Sequence, residues 1–446
     1  MRRADFCCAL RKSTIGRAGC SATRLFLIVV LAMPAAHGAT YLADPQTYIS
    51  MLTKLQPGDT LSLRPGYYRD GLPLHGLHGT PNEPIVIQGP RSGEAAILVA
   101  RPDANTVSLV DASYLTVRNF RVDGAHLAVD AIKAEGKGGP VHHITLESLT
   151  VINHDRAQDI IAISTKCPAW GWVIRDNNII GAGTGLYLGN SDGTAPFIGG
   201  LIENNLIVDT IGYNIEIKHQ IDRSDLQDAP TAPSVTILRN NVFAKTRNAS
   251  VGTAARPNVL VGHFPLEGSG RADRYEIVDN IFFDNPTEAL FQGEGNLTLA
   301  RNLMFNPDGD AIAIQPHHDL PRRVQVLDNF IASAKRGIVV RGGDPGSERR
   351  IARNSVFAAE PLQGGAQVEN TLGTLAQAPS ALARWLARPR GKGVEEGTIR
   401  LHLIAFTRRA CALTADTAMG NRVPLPDEGQ GHPLCNFLRK LARART

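Results

Sequence analysis

The 446-residue sequence predicts an all-β solenoid, a parallel β-helix, from three observations. A phrase of the form Ile-x-x-Asn-x-Ile recurs along the middle of the chain, its apolar residues alternate, and Gly, Asn and Asp separate its copies. Alternation with a period of two is typical of a strand, so each copy of the phrase is predicted to be one short strand. A repeat of about 20 to 50 residues is typical of a solenoid, in which each coil packs on its neighbours.

The recurring asparagines measure the length of each coil. They are separated by 22 to 40 residues and stand at Asn177, Asn205, Asn240, Asn280, Asn302, Asn329 and Asn354. In a β-helix such side chains would stack roughly 4.8 Å apart and bond one another, which is a structural role. Residues 115–122 and 144–151 fill the same slot without the asparagine, so we expect about nine or more coils.

Each coil also contains a second short apolar segment. These segments lie at residues 130–133, 159–164, 185–189, 214–219, 258–263, 289–292, 311–315 and 337–341. Two or three strands per turn of chain, joined by turns rich in Gly, Asn and Asp, describe a parallel β-helix.

The two ends of the chain predict three regions. Residues 1–38 combine a basic leader with an apolar run at 25–36 that is too short to span a bilayer, which indicates a signal peptide cleaved near Ala39. We therefore expect a periplasmic or secreted protein without a transmembrane segment after cleavage. Residues 39–375 form the predicted β-helix domain, and residues 376–446 are a basic C-terminal tail or cap of uncertain structure.

A capping helix is expected at the start of the mature chain. Residues 44–55 begin with Asp-Pro and place Tyr48, Ile49, Leu52 and Leu55 at helical spacing. A solenoid requires such a cap, because its terminal coil otherwise exposes core and strand edge.

Charge and cysteine content exclude several classes of protein. The formal net charge is +5, but the leader and the tail hold the excess of basic residues and leave the body at about −7. No nucleic-acid partner is therefore expected, and we expect a monomer. Only Cys167, Cys411 and Cys435 follow the leader, which is no disulfide framework and no zinc motif; a bond between Cys411 and Cys435 stays open.

One stretch of sequence resembles a known family. Residues 57–68 (PGDTLSLRPGYY), 79–80 and 84–88 (PIVIQ) resemble the first coil of the chondroitinase B and alginate lyase family of right-handed parallel β-helix polysaccharide lyases. The resemblance implies a right-handed β-helix acting on an acidic polysaccharide by β-elimination. It also implies a lysine base, an arginine on the next coil, and a calcium ion held by acidic residues just before the lysine.

The nearest match to the lysine segment of that family is residues 213–220 (YNIEIKHQ), which contain Lys218. In the next coil Gly262 and His263 stand where the family has its arginine. Ile211 and Tyr213 stand where the calcium-binding carboxylates belong. Calcium is thus implied by the resemblance alone, and no residue is assigned as a metal ligand.

The candidate site lies beside the two longest coils, whose insertions at 220–234 and 246–274 flank Lys218. Stacking the second segments in register gathers polar side chains there on one patch. The predicted catalytic residues are Lys218, His219 and His263. The predicted substrate-binding residues are Tyr187, Asn190, Glu216, Arg256, Glu288 and Glu294.

Each assignment has a structural alternative. Lys218 is a base for proton abstraction next to a uronate carboxylate if burial or cationic neighbours lower its pKa; otherwise it is a solvated lysine beside Glu216. His317 and His318 are either metal ligands or part of a polar turn.

Two other functions remain open. A glycoside hydrolase needs two carboxylates about 5 to 9.5 Å apart, which Asp222, Asp225 and Asp228 supply only if their loop folds back. A non-catalytic glycan-binding or surface scaffold protein predicts a broad polar face without a focused cluster. The concentration of long loops beside Lys218 favours the enzyme.

Overall fold

The computed structural model describes residues 38–245, 248–343 and 346–386. Between Thr40 and Gly373 the chain coils into a right-handed parallel β-helix, and successive turns add strands to three long sheets whose strands all pair in parallel. Neighbouring coils are roughly 4.8 Å apart. The predicted fold class is confirmed.

The described part of the chain contains three long sheets and one separate pair of strands. Sheet 1 has 13 strands: β1 (Thr40–Ala43), β2 (Thr60–Leu63), β5 (Ile85–Gln88), β8 (Ser113–Arg118), β11 (His142–Glu147), β15 (Val173–Arg175), β19 (Leu201–Glu203), β22 (Val235–Arg239), β25 (Arg274–Val278), β28 (Leu297–Ala300), β31 (Val324–Leu327), β34 (Arg349–Ala352) and β37 (Ala366–Val368). Sheet 2 has 12 strands: β3 (Gly66–Tyr68), β6 (Ala96–Val99), β9 (Arg121–Asp123), β12 (Thr150–His154), β16 (Asn178–Ala182), β20 (Leu206–Val208), β23 (Val242–Ala244), β26 (Ile281–Phe283), β29 (Leu303–Asn306), β32 (Phe330–Ser333), β35 (Ser355–Phe357) and β38 (Thr371–Gly373). Sheet 3 has 11 strands: β4 (Leu72–His75), β7 (Val107–Val110), β10 (Ile132–Ala134), β13 (Ile161–Thr165), β17 (Thr184–Leu188), β21 (Ile215–Ile217), β24 (Val259–Val261), β27 (Phe291–Gly293), β30 (Ile312–Ile314), β33 (Arg336–Val340) and β36 (Glu360–Gln363). A separate pair joins β14 (Ala169–Trp170) to β18 (Phe197–Ile198). The α-helices of the described residues are α1 (Tyr48–Leu52) and α2 (Ala378–Leu386).

The asparagine phrase proves to be a corner between two sheets, which corrects its prediction as a single strand. In the first copy, β15 ends at Arg175, Asp176 adopts a positive φ of 58°, and β16 begins at Asn178. The same left-handed residue recurs at Asn204, Asp279 and Asp328. The chain turns from sheet 1 to sheet 2 there, and the asparagine after the turn points inward.

These buried asparagines form a continuous ladder, and one predicted member is wrong. Asn241, not Asn240, occupies the ladder: its Oδ1 accepts from the Nδ2 of Asn205 at 2.9 Å, and its Nδ2 donates to Oδ1 of Asn280 at 3.0 Å. Asn240 is the preceding left-handed residue, with a φ of 55°. The sequence letters Asn-Asn allow both alignments. Beyond Asn354, the last asparagine of the predicted series, the ladder continues to Asn370 in a further coil.

The core runs through the interior of the solenoid. Alternate residues of all three sheets point inward and form one cluster that extends from Ala43 to Val356. Polar and half-buried residues alternate with them on the outside, as in β8, whose buried Ser113, Leu115 and Val117 alternate with half-buried neighbours. Inward apolar ladders therefore fix the register of every coil, and with it the positions of outward side chains.

Helices occur at both ends of the described β-helix. Helix α1 begins at Tyr48, later than predicted, because Asp44 first closes a turn by accepting the backbone N–H of Gln46 and Thr47. Helix α2 packs Leu382 and Trp385 against apolar residues of sheet 2. No helix among the described residues is long and apolar enough to cross a membrane. The predicted signal peptide, and the tail beyond Leu386 with Cys411 and Cys435, lie outside the described residues.

Candidate functional site

The candidate site lies on the outer face of sheet 3. Parallel pairing places Ser164 beside Tyr187, Tyr187 beside Glu216, and Glu216 beside Leu260. The register predicted from the sequence for Tyr187, Glu216 and Leu260 is therefore confirmed. One position beyond these strands, the chain places Lys166, Gly189, Lys218 and Gly262 on successive coils.

Four of these side chains form a compact group, here called the lysine cluster: Lys166, Tyr187, Glu216 and Lys218. The Nζ of Lys166 lies 3.5 Å from the centre of the Tyr187 ring, and that of Lys218 lies 5.5 Å from it. Lys218 also donates to Oε1 of the buried Glu216 at 2.8 Å. An aromatic face with a cation over it is electrostatically favourable. Tyr187 thus holds two lysines from different coils at one spot.

The two lysines have opposite electrostatic surroundings. Partial burial, which disfavours the charged form, lowers the pKa of Lys166 to about 8, with Lys133 and Lys218 adding to the effect. Burial also acts to lower the pKa of Lys218, but the Glu216 carboxylate outweighs it and the pKa is raised. To act as the predicted base, Lys218 requires a lowered pKa. Lys166 meets that requirement, and Lys218 does not.

Glycines on the coils next to Lys218 leave space for the side chains of the lysine cluster. Gly189 has a φ of 95°, and a Cβ there would lie 3.2 Å from Cβ of Lys218. At Gly262 a Cβ would lie 2.3 Å from the backbone nitrogen of His219. A side chain at Gly262 would force the neighbouring coil to shift. Of the two residues that stand where the family has its arginine, Gly262 therefore cannot be replaced by arginine in this backbone.

A second group, here called the histidine cluster, adjoins the first and consists of His219, His263, Glu294 and His318. The ring of His219 stacks on that of His263 at 5.3 Å between centres and on that of His318 at 4.2 Å. His318 Nδ1 lies 3.3 Å from Oε1 of Glu294. Burial, with the neighbouring His318 and His263, lowers the pKa of His219. The neutral form of the His219 ring is therefore favoured, which leaves a nitrogen lone pair available on that ring.

One ligand atom each from His263, Glu294 and His318 lies within 4.8 Å of the others, so these three residues can hold a metal ion. Glu294, predicted as a substrate-binding residue, faces the histidines. His317 is exposed beside the group, with Nδ1 3.7 Å from Oε1 of Glu294.

Three other predicted site residues form hydrogen bonds to backbone groups close to them in the sequence. Asn190 closes its own turn, accepting from the backbone of Ala195 at 2.7 Å. The guanidinium of Arg256 donates to the carbonyls of Thr253 and Ala255. Glu288 accepts the N–H of Ala289 at 3.0 Å. The structure places these three around the site without joining them to either cluster, and their roles stay predictions.

The two long insertions are tied to each other through their segments that lead from sheet 3 to sheet 1. Arg223 from the first is buried and donates to Asp273 from the second, with 2.7 Å between Nη1 and Oδ2. Asp222 accepts the backbone N–H of Ser269 at 2.8 Å, again across the insertions. Asp222 therefore holds the two loops together, and the hydrolase alternative stays a prediction.

A surface groove continues along the N-terminal coils of sheet 3. Its volume is about 600 Å³, and its charged lining is mixed: the basic side chains are Arg101, Lys133 and Lys137, and the acidic ones are Asp103, Asp130, Glu135 and Asp159. Lys133 is the outward neighbour of Ser164 and pairs with Asp130 at 3.2 Å. The groove thus leads along the same sheet face toward the lysine cluster.

Lys166 and the Glu294–His318 contact were missed from the sequence. Lys166 lies two residues after the second apolar segment 159–164, which belongs to the coil before Tyr187. Aligning that segment with 185–189 and 214–219, and continuing two residues past its end, would have placed Lys166 close to Tyr187. His318 belongs to an irregular loop after β30, and no period predicts its position over Glu294.

Comparisons with known proteins find similarity in structure only. No family model matches the sequence, and no curated protein matches it. An alginate lyase from Paenibacillus sp. is 16% identical with a TM-score of 0.49, covering 75% of this chain and 99% of its own. The A-module of an Azotobacter vinelandii mannuronan C-5 epimerase is 13% identical with a TM-score of 0.44, covering 71% and 87%. Pectate lyase Pel9A is 11% identical with a TM-score of 0.43, covering 70% and 79%. The likeness concerns the fold, and those activities belong to those proteins.

Proposed function

We propose that this chain is a carbohydrate-active β-helix protein that binds an acidic polysaccharide along sheet 3 and cleaves it by β-elimination. The observation that carries the proposal is the lysine cluster, in which two lysines of opposite pKa shift flank one aromatic ring. Elimination next to a uronate carboxylate needs one neutral base and one persistent positive charge at the same place, and this pair supplies both.

Lys166 is the base in this proposal. As a neutral amine its Nζ takes the proton from the carbon next to the carboxylate; the electron pair forms the new C=C bond, the glycosidic C–O bond breaks, and the departing oxygen takes a proton from water. Lys218 remains an ammonium ion because of Glu216, and it pairs with the uronate carboxylate as negative charge builds up.

The groove beside Lys133 extends the binding surface in this proposal, and its lining offers both basic and acidic side chains to a sugar chain. In this proposal a polymer with a carboxylate on each sugar meets Lys133, Lys166 and Lys218, which lie on three coils of sheet 3.

The deciding experiment offers alginate, pectate and glycosaminoglycans to the mature protein and follows the ultraviolet absorbance of the unsaturated product. We expect Lys166→Met to lower turnover by at least ~100-fold, the range of a lost general base. Lys218→Ala should weaken binding of substrate as well as turnover. Lys335→Ala, which removes a lysine away from the cluster, is the matched control and should leave the rate unchanged.

Three results would redirect the proposal. If no polymer produces absorbance but one binds, the chain is a non-catalytic glycan-binding protein. If reducing ends appear without absorbance, it is a hydrolase. If absorbance appears and Lys166→Met keeps full activity, the base has been assigned wrongly.

We further propose that the protein acts in the periplasm or outside the cell. The sequence of residues 1–38 supports this, with its basic leader, short apolar run and small-residue cleavage pattern.

A further inference from the structure

The histidine cluster is built from three separate coils. His263 follows β24, Glu294 follows β27, and His318 lies in the loop after β30. These are successive strands of sheet 3, so the solenoid stacks the three residues beside one another. A ligand set of two imidazoles and one carboxylate is the type found in zinc sites that keep a position open for water or substrate.

Glu294 is buried, and a buried carboxylate is stabilised by a positively charged partner. Its Oε2 accepts the backbone N–H of His318 at 2.9 Å and that of Asp319 at 3.2 Å. Its ion-pair partners among the described residues are the rings of His317 and His318, which carry charge only when protonated. A buried carboxylate without a permanent cation is costly, and a bound metal ion removes that cost.

The loop that carries His318 is fastened to the strand end that carries His263. Arg322 donates through Nη2 to the carbonyl of Phe264 at 2.7 Å and forms an ion pair with Asp319. The same carbonyl accepts from Nδ1 of His263 at 3.0 Å, which leaves Nε2 of that ring as the ligand atom. Hydrogen bonds of this kind orient metal-binding histidines and hold the loop before any ion arrives.

His219 completes the arrangement. It stacks on both His263 and His318, yet its Nδ1 is buried and has no hydrogen-bond partner. A buried polar atom without a partner is costly, and a water molecule on a neighbouring metal ion would satisfy it.

We propose that His263, Glu294 and His318 bind one divalent transition-metal ion of the Zn²⁺ type, with His219 bonding to the water in the open position. Two nitrogens and one carboxylate suit Zn²⁺ and its neighbours, whereas Ca²⁺ prefers six to eight oxygen ligands. The site differs in residues and in preferred metal from the calcium site that the resemblance implies. It does not depend on the proposed elimination, since metal binding is measured directly.

In the test, a chelator first removes bound metal from the mature protein, which begins near Ala39. The protein is then titrated with Zn²⁺ alone, and binding is measured by calorimetry. We expect one equivalent to bind to the unaltered protein. His318→Ala and the isosteric Glu294→Gln should each weaken binding ~100-fold or more, because loss of an outer-shell partner alone costs about 10- to 100-fold. Co²⁺ should give the visible absorption bands of a four-coordinate site, and Ca²⁺ should not compete.

Two further variants separate this site from general metal binding. His126→Asn removes a histidine that pairs with Asp155 elsewhere on the chain and should leave Zn²⁺ binding unchanged. Arg322→Met should weaken it by about 10- to 100-fold through loss of orientation. The proposal is overturned if no equivalent binds, if Glu294→Gln binds as the unaltered protein does while keeping its β-sheet circular dichroism, or if His126→Asn loses as much affinity as His318→Ala.

Discussion

At the scale of single residues, chemistry depends on neighbours that the chain brings from other coils. Lys166 and Lys218 are the same residue type on the same sheet face, yet only Lys218 has a carboxylate at hydrogen-bond distance. Lys166 is left partly buried over the Tyr187 ring, and its pKa is lowered to about 8. The difference between base and permanent cation therefore comes from the position of Glu216.

The pH dependence of activity follows from this difference. Because only the neutral amine of Lys166 accepts a proton, kcat/KM should rise with pH and level off near its pKa of about 8, below the ordinary 10.5 of a lysine. The measurement is a pH profile on the most reactive polymer. Lys335→Ala should keep the inflection; a profile that still rises steadily through pH 10 would contradict the assignment of Lys166.

At the scale of elements, the repeated phrase is a corner with two distinct positions. The first position requires a left-handed backbone, which Asn240 adopts with a φ of 55°. The second requires a buried amide that bonds the coils on either side. Asn241 fills it by bonding Asn205, Asn280 and the carbonyl of Ile202. The side-chain amide ladder thus runs parallel to the backbone ladders of the sheets.

Substitutions at the adjacent residues Asn240 and Asn241 test whether the two corner positions contribute differently to stability. Asn241→Ala leaves buried amide groups on both neighbouring coils unpaired and should lower the free energy of unfolding by about 2–3 kcal/mol. Asn240→Gly keeps the left-handed backbone and should change it by less than about 0.5 kcal/mol. Denaturant unfolding followed by circular dichroism measures both. Equal effects of the two changes would show that Asn241 has no special part in the ladder.

At the scale of the whole molecule, the solenoid brings distant parts of the sequence to one face. The lysine cluster uses residues from 166 to 218 and the histidine cluster residues from 219 to 318, yet both lie on one continuous face of sheet 3. The two insertions that follow Lys218 and the β23 strand are joined to each other by the buried pair of Arg223 and Asp273. Regular coils thus supply the platform, and irregular loops complete the site.

Export is a prediction for the whole chain. If residues 1–38 are a signal peptide, the protein expressed in an exporting bacterial host should be recovered from the periplasm or the medium with a new N-terminus near Ala39. N-terminal sequencing or intact mass makes the measurement. A deletion variant that lacks the apolar run 25–36 should stay inside the cell. Recovery of the uncleaved full-length chain in the cytoplasm would contradict the prediction.

The sequence by itself determined the β-helix, the second strand of most coils and the register of Tyr187, Glu216 and Leu260, because inward apolar residues repeat with the period of a strand and leave one alignment that buries them. It did not separate Asn240 from Asn241, since both satisfy the pattern and only backbone curvature distinguishes them. Only the tertiary structure decided the charge state of Lys218 and the meeting of His318 with Glu294. Those contacts join different coils through side chains and an irregular loop, for which the sequence has no period.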